Sequence, residues 1–144
     1  MGRNRMALFS ADMDAELAER LRIERALRAA IDHQCFELFF QPAVEMPERR
    51  LVGFEALIRM RDDTGQMIPP IAFIPIAKRM GLIVQIGTWV LREACRQAAA
   101  WPAELKVAVN LSPPQLTAGT LAGLVLEVLA ETGLPTSQLE LASC

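Results

Sequence analysis

The sequence predicts an α/β fold in which parallel strands are joined by crossover helices. An opening helix and two strands are followed by the order helix, strand, helix, strand, and this alternation favours parallel pairing. The 144 residues are 52% apolar, which is enough to bury the core of about one domain. The last predicted strand is not followed by a closing helix, so we expect the chain to be the first half of a larger fold.

The N-terminal part of the chain predicts one helix and two strands. Residues 1–10 are interpreted as a tail or the end of a linker, and a helix is expected from about Asp12 to Asp32, where Glu–Arg pairs stand four residues apart in the stabilising order. A bulky run that ends at a proline predicts a strand over 36–42. A turn at 47–50 then leads into a second strand at 51–59.

The rest of the chain predicts alternating helices and strands after a polar loop at 62–66. Gly81 and Gly133 each follow an apolar periodic run and predict helix ends. The predicted elements are a helix at 71–80, a helix at 83–101 with a buried stripe of Ile83, Ile86, Val90, Ala94 and Trp101, a strand at 105–111, a helix at 121–132 and the start of a strand at 138–142.

Composition excludes several functional classes. A net charge of −2 creates no overall field that would attract nucleic acid or an acidic membrane. The three cysteines include no C-x-x-C pair, which suits a reducing cytosol, and the single histidine, His33, excludes a His-based zinc site and stands where a helix should end. No secretory signal and no membrane-spanning segment is visible, so we expect a cytoplasmic chain.

The strand at 51–59 carries the most informative residues. Its alternation places Glu55, Leu57 and Arg59 on one face, while the opposite face is wholly apolar. Burying an acid and an arginine costs several kcal/mol unless each finds a partner. A metal ion and a phosphate would serve as partners, and a structural ion pair between Glu55 and Arg59 is the alternative that spacing alone leaves open.

Two further polar residues lie near predicted strand ends, where α/β folds bind ligands. The Asn110 carbonyl can ligate a hard divalent cation, or the side chain can cap the turn that follows. Gln41 precedes Pro42 and either contacts a ligand base or belongs to the turn. With Arg59 able to clamp a phosphate, the set suggests an oxygen-ligated divalent metal acting on a phosphate.

A series of motifs resembles one known family. Over residues 20 to 141 the chain is similar to the EAL domain, the cyclic di-GMP-specific phosphodiesterase of bacterial signalling. The motifs, in family order, are Phe36-Glu37-Leu38-Phe39-Phe40-Gln41-Pro42, the signature Gly53-Phe54-Glu55-Ala56-Leu57-Ile58-Arg59, Pro70-Ile71-Ala72-Phe73-Ile74-Pro75-Ile76-Ala77, Val109-Asn110-Leu111-Ser112, Gly133-Leu134-Pro135 and Leu139-Glu140-Leu141.

The resemblance implies a fold, a reaction and site residues. The fold would be a partial TIM-type (β/α) barrel, its first half only, with an N-terminal linker helix. The reaction would be two-metal hydrolysis of cyclic di-GMP to linear pGpG with Mg²⁺ or Mn²⁺. Carried over by position, Glu55 and Asn110 would be metal ligands, whereas Gln41, Leu57 and Arg59 would contact the substrate.

The chain departs from the family pattern at three positions. Phe40 replaces a tyrosine, Lys78 replaces an acid, and Ala142 stands where the family has its next metal-ligand glutamate. The motifs of the second half are also absent, so the catalytic set is incomplete. We therefore expect residues 20–144 to be a truncated EAL domain that is inactive alone.

Residues 1–19 are assigned to a tail and the start of a linker helix. The segment 6–13 is similar to the linker that joins a GGDEF domain to an EAL domain, so we expect a tandem parent protein. The alternative is a degenerate, non-catalytic EAL-like module that binds cyclic di-GMP or a protein, including a second copy of itself as a homodimer.

Overall fold

The computed structural model describes residues 2–117 and 119–143, with side chains from residue 12 onward. Its elements are α1 (Gly2–His33), β1 (Glu37–Glu45), β2 (Arg50–Arg61), β3 (Met67–Ile68), α2 (Pro70–Arg79), α3 (Ile83–Ala98), β4 (Lys106–Leu111), α4 (Pro113–Thr117), α5 (Leu121–Thr132), a 3₁₀ turn (Thr136–Gln138) and β5 (Leu139–Ser143).

The strands form one sheet in the order β1-β2-β4-β5, and the short β3 pairs with the end of β2. Strands β2, β4 and β5 are parallel, with α2 and α3 crossing from β2 to β4 and with α4 and α5 crossing from β4 to β5. This confirms the predicted α/β class with parallel strands and crossover helices. Strand β1 pairs antiparallel with β2 and forms the edge of the sheet.

The register decides which side chains share a face. Gln41 pairs with Glu55 across the β1–β2 hairpin, and Glu55 lies level with Ala108 of β4. Gly53 pairs with Lys106, and a Cβ atom at Gly53 would stand 2.1 Å from the Lys106 carbonyl oxygen. Only glycine therefore lets β2 approach β4 at this point.

The helices cover one face of the sheet, and Val107 and Val109 of β4 are fully buried beneath them. Trp101 packs edge-on against the Phe40 and Phe54 rings, with centroid distances of 5.2 and 5.1 Å. The predicted extension of the second helix to Trp101 is wrong, because α3 ends at Ala98. The proline that follows Trp101 disfavours a helical conformation at Trp101 itself.

Two other boundaries differ from the prediction by more than a residue or two. Helix α1 begins at Gly2 and not near Asp12, because the segment 3–11 holds neither proline nor glycine and includes the strong helix formers Met6, Ala7 and Leu8. Strand β1 continues through Pro42, which pairs with Phe54. Proline is tolerated there because β1 is an edge strand.

Three short elements were not predicted, and two helix ends were. The unpredicted elements are β3, the 3₁₀ turn and α4, which opens with two prolines that suit a first helical turn. Gly81 follows α2 with a φ of +73°, the left-handed conformation expected of it. Helix α5 ends at Gly133, whose φ of +76° is the left-handed cap conformation that the sequence indicates.

Helix α1 is attached to the loop after β2 through Asp62. One carboxylate oxygen of Asp62 accepts hydrogen bonds from the Thr64 hydroxyl and from the backbone N–H groups of Thr64 and Gln66. The other oxygen accepts one from Arg22 of α1 at 2.6 Å. The Thr64 hydroxyl foremost, and then the other donors, hold the pKa of Asp62 below its usual range.

Candidate functional site

The centre of the candidate site is a contact between the side chains of Glu55 and Asn110. The Asn110 amide nitrogen donates a hydrogen bond of 2.7 Å to a carboxylate oxygen of Glu55. Parallel pairing produces this contact, because Glu55 lies level with Ala108 and Asn110 lies two residues further along the same face. Both residues are half-buried, and the structure brings them together as the sequence analysis expected.

Asn110 does not cap the turn that follows β4, which was its alternative role. Gln115 of α4 does so, because its carbonyl oxygen accepts hydrogen bonds from the Ser112 backbone N–H at 2.9 Å and from the Ser112 hydroxyl at 3.1 Å. The Gln115 side chain lies against Gly87 of α3, where a Cβ atom would collide with it. The Asn110 side chain is therefore committed to Glu55.

The alternative ion pair between Glu55 and Arg59 is wrong. Four residues of strand separate the two positions by about 13 Å, and the Arg59 guanidinium contacts other groups. Its Nη1 donates to the Ile58 carbonyl oxygen at 2.8 Å, and its Cζ lies 5.3 Å from the centroid of the Phe39 ring.

Gln41 and Leu57 share the face that carries Glu55. Gln41 pairs directly with Glu55 and is exposed, whereas Leu57 pairs with Phe39 and is half-buried. The expectation that Gln41 ends its strand is wrong, because β1 runs on to Glu45 and is antiparallel to β2. Gln41 therefore lies in mid-strand beside Glu55.

The donor set of Glu55 and Asn110 fits a hard divalent cation. In the described part of the chain, the Asn110 amide oxygen accepts no hydrogen bond, and Glu55 has one oxygen outside its contact with Asn110. Carboxylate and amide oxygens are the ligands that Mg²⁺, Mn²⁺ and Ca²⁺ favour. No three acidic, histidine or cysteine residues among those described are grouped to hold a metal, and the residue paired with Asn110 on β5 is Ala142.

Phe39 is the site residue that the sequence analysis missed. It lies on the face of Gln41, its ring meets Arg59, and it is 45% exposed. The available signal was its position two residues before Gln41, which puts both side chains on one face of a strand.

Comparison with known proteins identifies relatives along most of the chain. The family model for the EAL domain matches residues 24–142. An uncharacterized signaling protein of Caulobacter vibrioides is 46% identical over 140 residues, which are 97% of this chain and 17% of that protein. The bifunctional diguanylate cyclase/cyclic di-GMP phosphodiesterase MucR of Pseudomonas aeruginosa is 39% identical over 142 residues, which are 96% of this chain and 21% of MucR.

Solved structures match the same fold. The complex of the PaMucR phosphodiesterase with c-di-GMP superposes with a TM-score of 0.77 at 39% identity, over 83% of this chain and 50% of that one. The FimX EAL domain of Xanthomonas citri in complex with c-diGMP has a TM-score of 0.75 at 28% identity, over 90% and 51%. The chain thus spans about a fifth of the curated relatives named above and half of these structures.

Among the described helices, none is both long enough and apolar enough to cross a bilayer.

Proposed function

The chain belongs to the EAL domain family, and on that premise we propose that it supplies part of a cyclic di-GMP phosphodiesterase site, whose reaction is the hydrolysis of cyclic di-GMP to linear pGpG. Proteins of this family are metal-dependent in general. The observation that carries the proposal is the contact between Glu55 and Asn110, on the sheet face that also carries Gln41, Leu57 and Arg59.

Each residue has a proposed role on that face. Glu55 and Asn110 would hold Mg²⁺ or Mn²⁺, which when bound supplies positive charge that activates water and stabilises the phosphate. The Asn110 amide orients the Glu55 carboxylate through its hydrogen bond. Arg59 would bind a phosphate of the dinucleotide, Gln41 would contact a guanine, and Leu57 would form an apolar wall.

We propose that the 144-residue polypeptide binds cyclic di-GMP without hydrolysing it. Two-metal hydrolysis needs ligands on both sides of both ions. The described residues bring together the oxygen-bearing side chains of Glu55 and Asn110, while Ala142 presents a methyl group beside Asn110. This last observation favours the second candidate function, a non-catalytic EAL-like module for cyclic di-GMP or a protein partner, which includes a homodimer.

The proposed setting of the chain is a cytoplasmic tandem protein with a GGDEF domain. The support is its similarity to MucR, which combines a diguanylate cyclase with a cyclic di-GMP phosphodiesterase. A reducing compartment agrees with the three cysteines and the absence of a C-x-x-C motif in the sequence.

A binding titration tests the proposal. Fluorescently labelled cyclic di-GMP is titrated with the chain in Mn²⁺ and in EDTA, and pGpG is measured by chromatography. We expect Mn²⁺-dependent binding that weakens about tenfold in Glu55→Ala, since one charged ligand is lost, and no pGpG above buffer. Glu48→Ala, which removes an equal charge at the turn between β1 and β2, is the matched control.

Two results would contradict the proposal. Equal affinity of Glu55→Ala and Glu48→Ala would show that Glu55 does not hold the cation. Metal-dependent release of pGpG by the wild-type chain would show that the polypeptide is catalytic and does more than bind.

A further inference from the structure

The positively charged Arg59 guanidinium makes few hydrogen bonds with the rest of the protein. In the described part of the chain, one hydrogen bond leaves its guanidinium, from Nη1 to the Ile58 carbonyl oxygen at 2.8 Å. The residue paired with it across the hairpin is an acid, Glu37. A directly opposed acid and arginine normally attract each other, so the absence of this pair needs a cause.

Arg61 is that cause, because it engages the Glu37 carboxylate. The Arg61 Nε lies 3.2 and 3.4 Å from the two carboxylate oxygens of Glu37. Its Nη1 also donates to the Gly65 carbonyl oxygen at 3.1 Å, which fixes the guanidinium above Glu37. Glu37 is thereby held by Arg61 and does not neutralise Arg59.

Phe39 holds the Arg59 side chain in place of an acid. The guanidinium carbon lies 5.3 Å from the ring centroid, within the range of a cation–π contact. An aromatic face attracts a cation without cancelling its charge, whereas a carboxylate would cancel it. The remaining N–H groups of Arg59 therefore stay available to an anion on the same sheet face as Glu55.

We propose that Phe39, Glu37 and Arg61 are positioning residues for Arg59: Phe39 orients the guanidinium, and Arg61 withdraws the Glu37 carboxylate, so that Arg59 remains an un-neutralised anchor for a phosphate of the dinucleotide. This inference rests on the proposed function, in which Arg59 binds that phosphate. It predicts that two residues outside the set of ligand contacts, Glu37 and Arg61, control the affinity for the ligand.

Removing the positive charge of Arg61 tests its role. Arg61→Gln frees Glu37 to capture Arg59, and we expect it to weaken binding of labelled cyclic di-GMP about threefold, as for a partly exposed ion pair. The double variant Arg61→Gln/Glu37→Gln should bind as the wild type does. Arg50→Gln breaks the equivalent exposed pair with Glu45, 3.0 Å long, at the other end of the hairpin. It makes the same charge change and should leave affinity unaltered.

An aromatic series tests the role of Phe39. Phe39→Leu should weaken binding about threefold, the amount expected of a partly exposed cation–π contact, and Phe39→Trp should retain wild-type affinity. Phe40→Leu removes a ring of the same strand on the opposite face and serves as the matched control. An NMR spectrum without ligand should show ring-current shifts on the Arg59 side chain that disappear in Phe39→Leu.

The outcomes separate this inference from the proposed function. Wild-type affinity in Arg59→Ala, or no binding by the wild-type chain, overturns the proposed function and this inference with it. Weak binding in Arg59→Ala together with wild-type affinity in Arg61→Gln and Phe39→Leu overturns this inference alone. Equal losses in Arg61→Gln and Arg50→Gln would assign the effect to net charge and would also overturn it.

Discussion

Replacing Gly53 by alanine should separate the two strands that carry the site. The new Cβ would lie 2.1 Å from the Lys106 carbonyl oxygen, against 3.4–4 Å for ordinary van der Waals contact, so one strand must move by more than 1 Å. The Lys106 carbonyl oxygen belongs to the backbone of a paired strand, so it cannot rotate aside as a side chain can. Overpacking of this kind costs about 3 kcal/mol, at the upper end of its usual range.

Urea unfolding followed by circular dichroism measures this cost. Gly123→Ala is the matched control, because nothing lies within 4 Å of a Cβ atom at that position in α5. We expect Gly123→Ala to stabilise the chain by about 0.5–1 kcal/mol, since alanine favours a helix over glycine. An unfolding midpoint in Gly53→Ala equal to that of the wild type would refute the close approach of β2 and β4, and with it the geometry of the site.

Three further predictions concern metal affinity and pH. Ala142→Glu should tighten Mn²⁺ binding about tenfold by adding a charged oxygen ligand beside Asn110, whereas Leu141→Glu on the opposite face should not; equal effects would contradict the pairing. Burial raises the pKa of the Cys95 thiol to about 11 from an unfolded value of 9.0. The free energy of unfolding should therefore fall as the pH rises from about 9 to about 11, and the fall should be smaller in Cys95→Ala. Because the pKa of Asp62 is lowered in the folded chain, its carboxylate stabilises the fold at every pH above the unfolded value of 3.8. The free energy of unfolding should fall as the pH drops below 3.8, and this part of the fall should be missing in Asp62→Asn.

The elements that the sequence predicts best are those whose ends depend on residues close together in the chain. Helix α5 ends where Gly133 supplies a left-handed cap, and the loop at 62–66 forms because Asp62 accepts hydrogen bonds from its own turn. The parallel order of β2, β4 and β5 follows from the alternation of strands and helices. These features require no knowledge of distant contacts.

The features that the sequence analysis placed wrongly depend on tertiary position. Pro42 ends a strand in most contexts, but the edge position of β1 removes the need for its missing N–H group. Gln41 was placed at a strand end because Pro42 follows it, whereas β1 continues to Glu45. The partner of Asn110 was open because the register between β2 and β4, which brings it to Glu55, cannot be read from neighbouring residues.

The candidate site was likewise predicted in part from local sequence and missed where it depends on tertiary contacts. Alternation along one strand correctly groups Glu55, Leu57 and Arg59 on one face. It does not show that Arg59 contacts the Phe39 ring, because that contact depends on the hairpin register. The family resemblance supplies roles for these residues, and those roles stay predictions that the variants above test.

The proposed cation site consists of the Glu55 carboxylate and the Asn110 carboxamide, which would hold one divalent cation between them. A titration of ¹⁵N-labelled chain with substoichiometric Mn²⁺ tests it most directly, because this paramagnetic ion broadens NMR signals near its binding site. We predict that the Asn110 side-chain NH₂ signals broaden first and that Glu55→Gln abolishes this effect. Broadening that begins around Asp62 and Asp63, or that persists at Asn110 in Glu55→Gln, would show that Glu55 and Asn110 do not hold the ion.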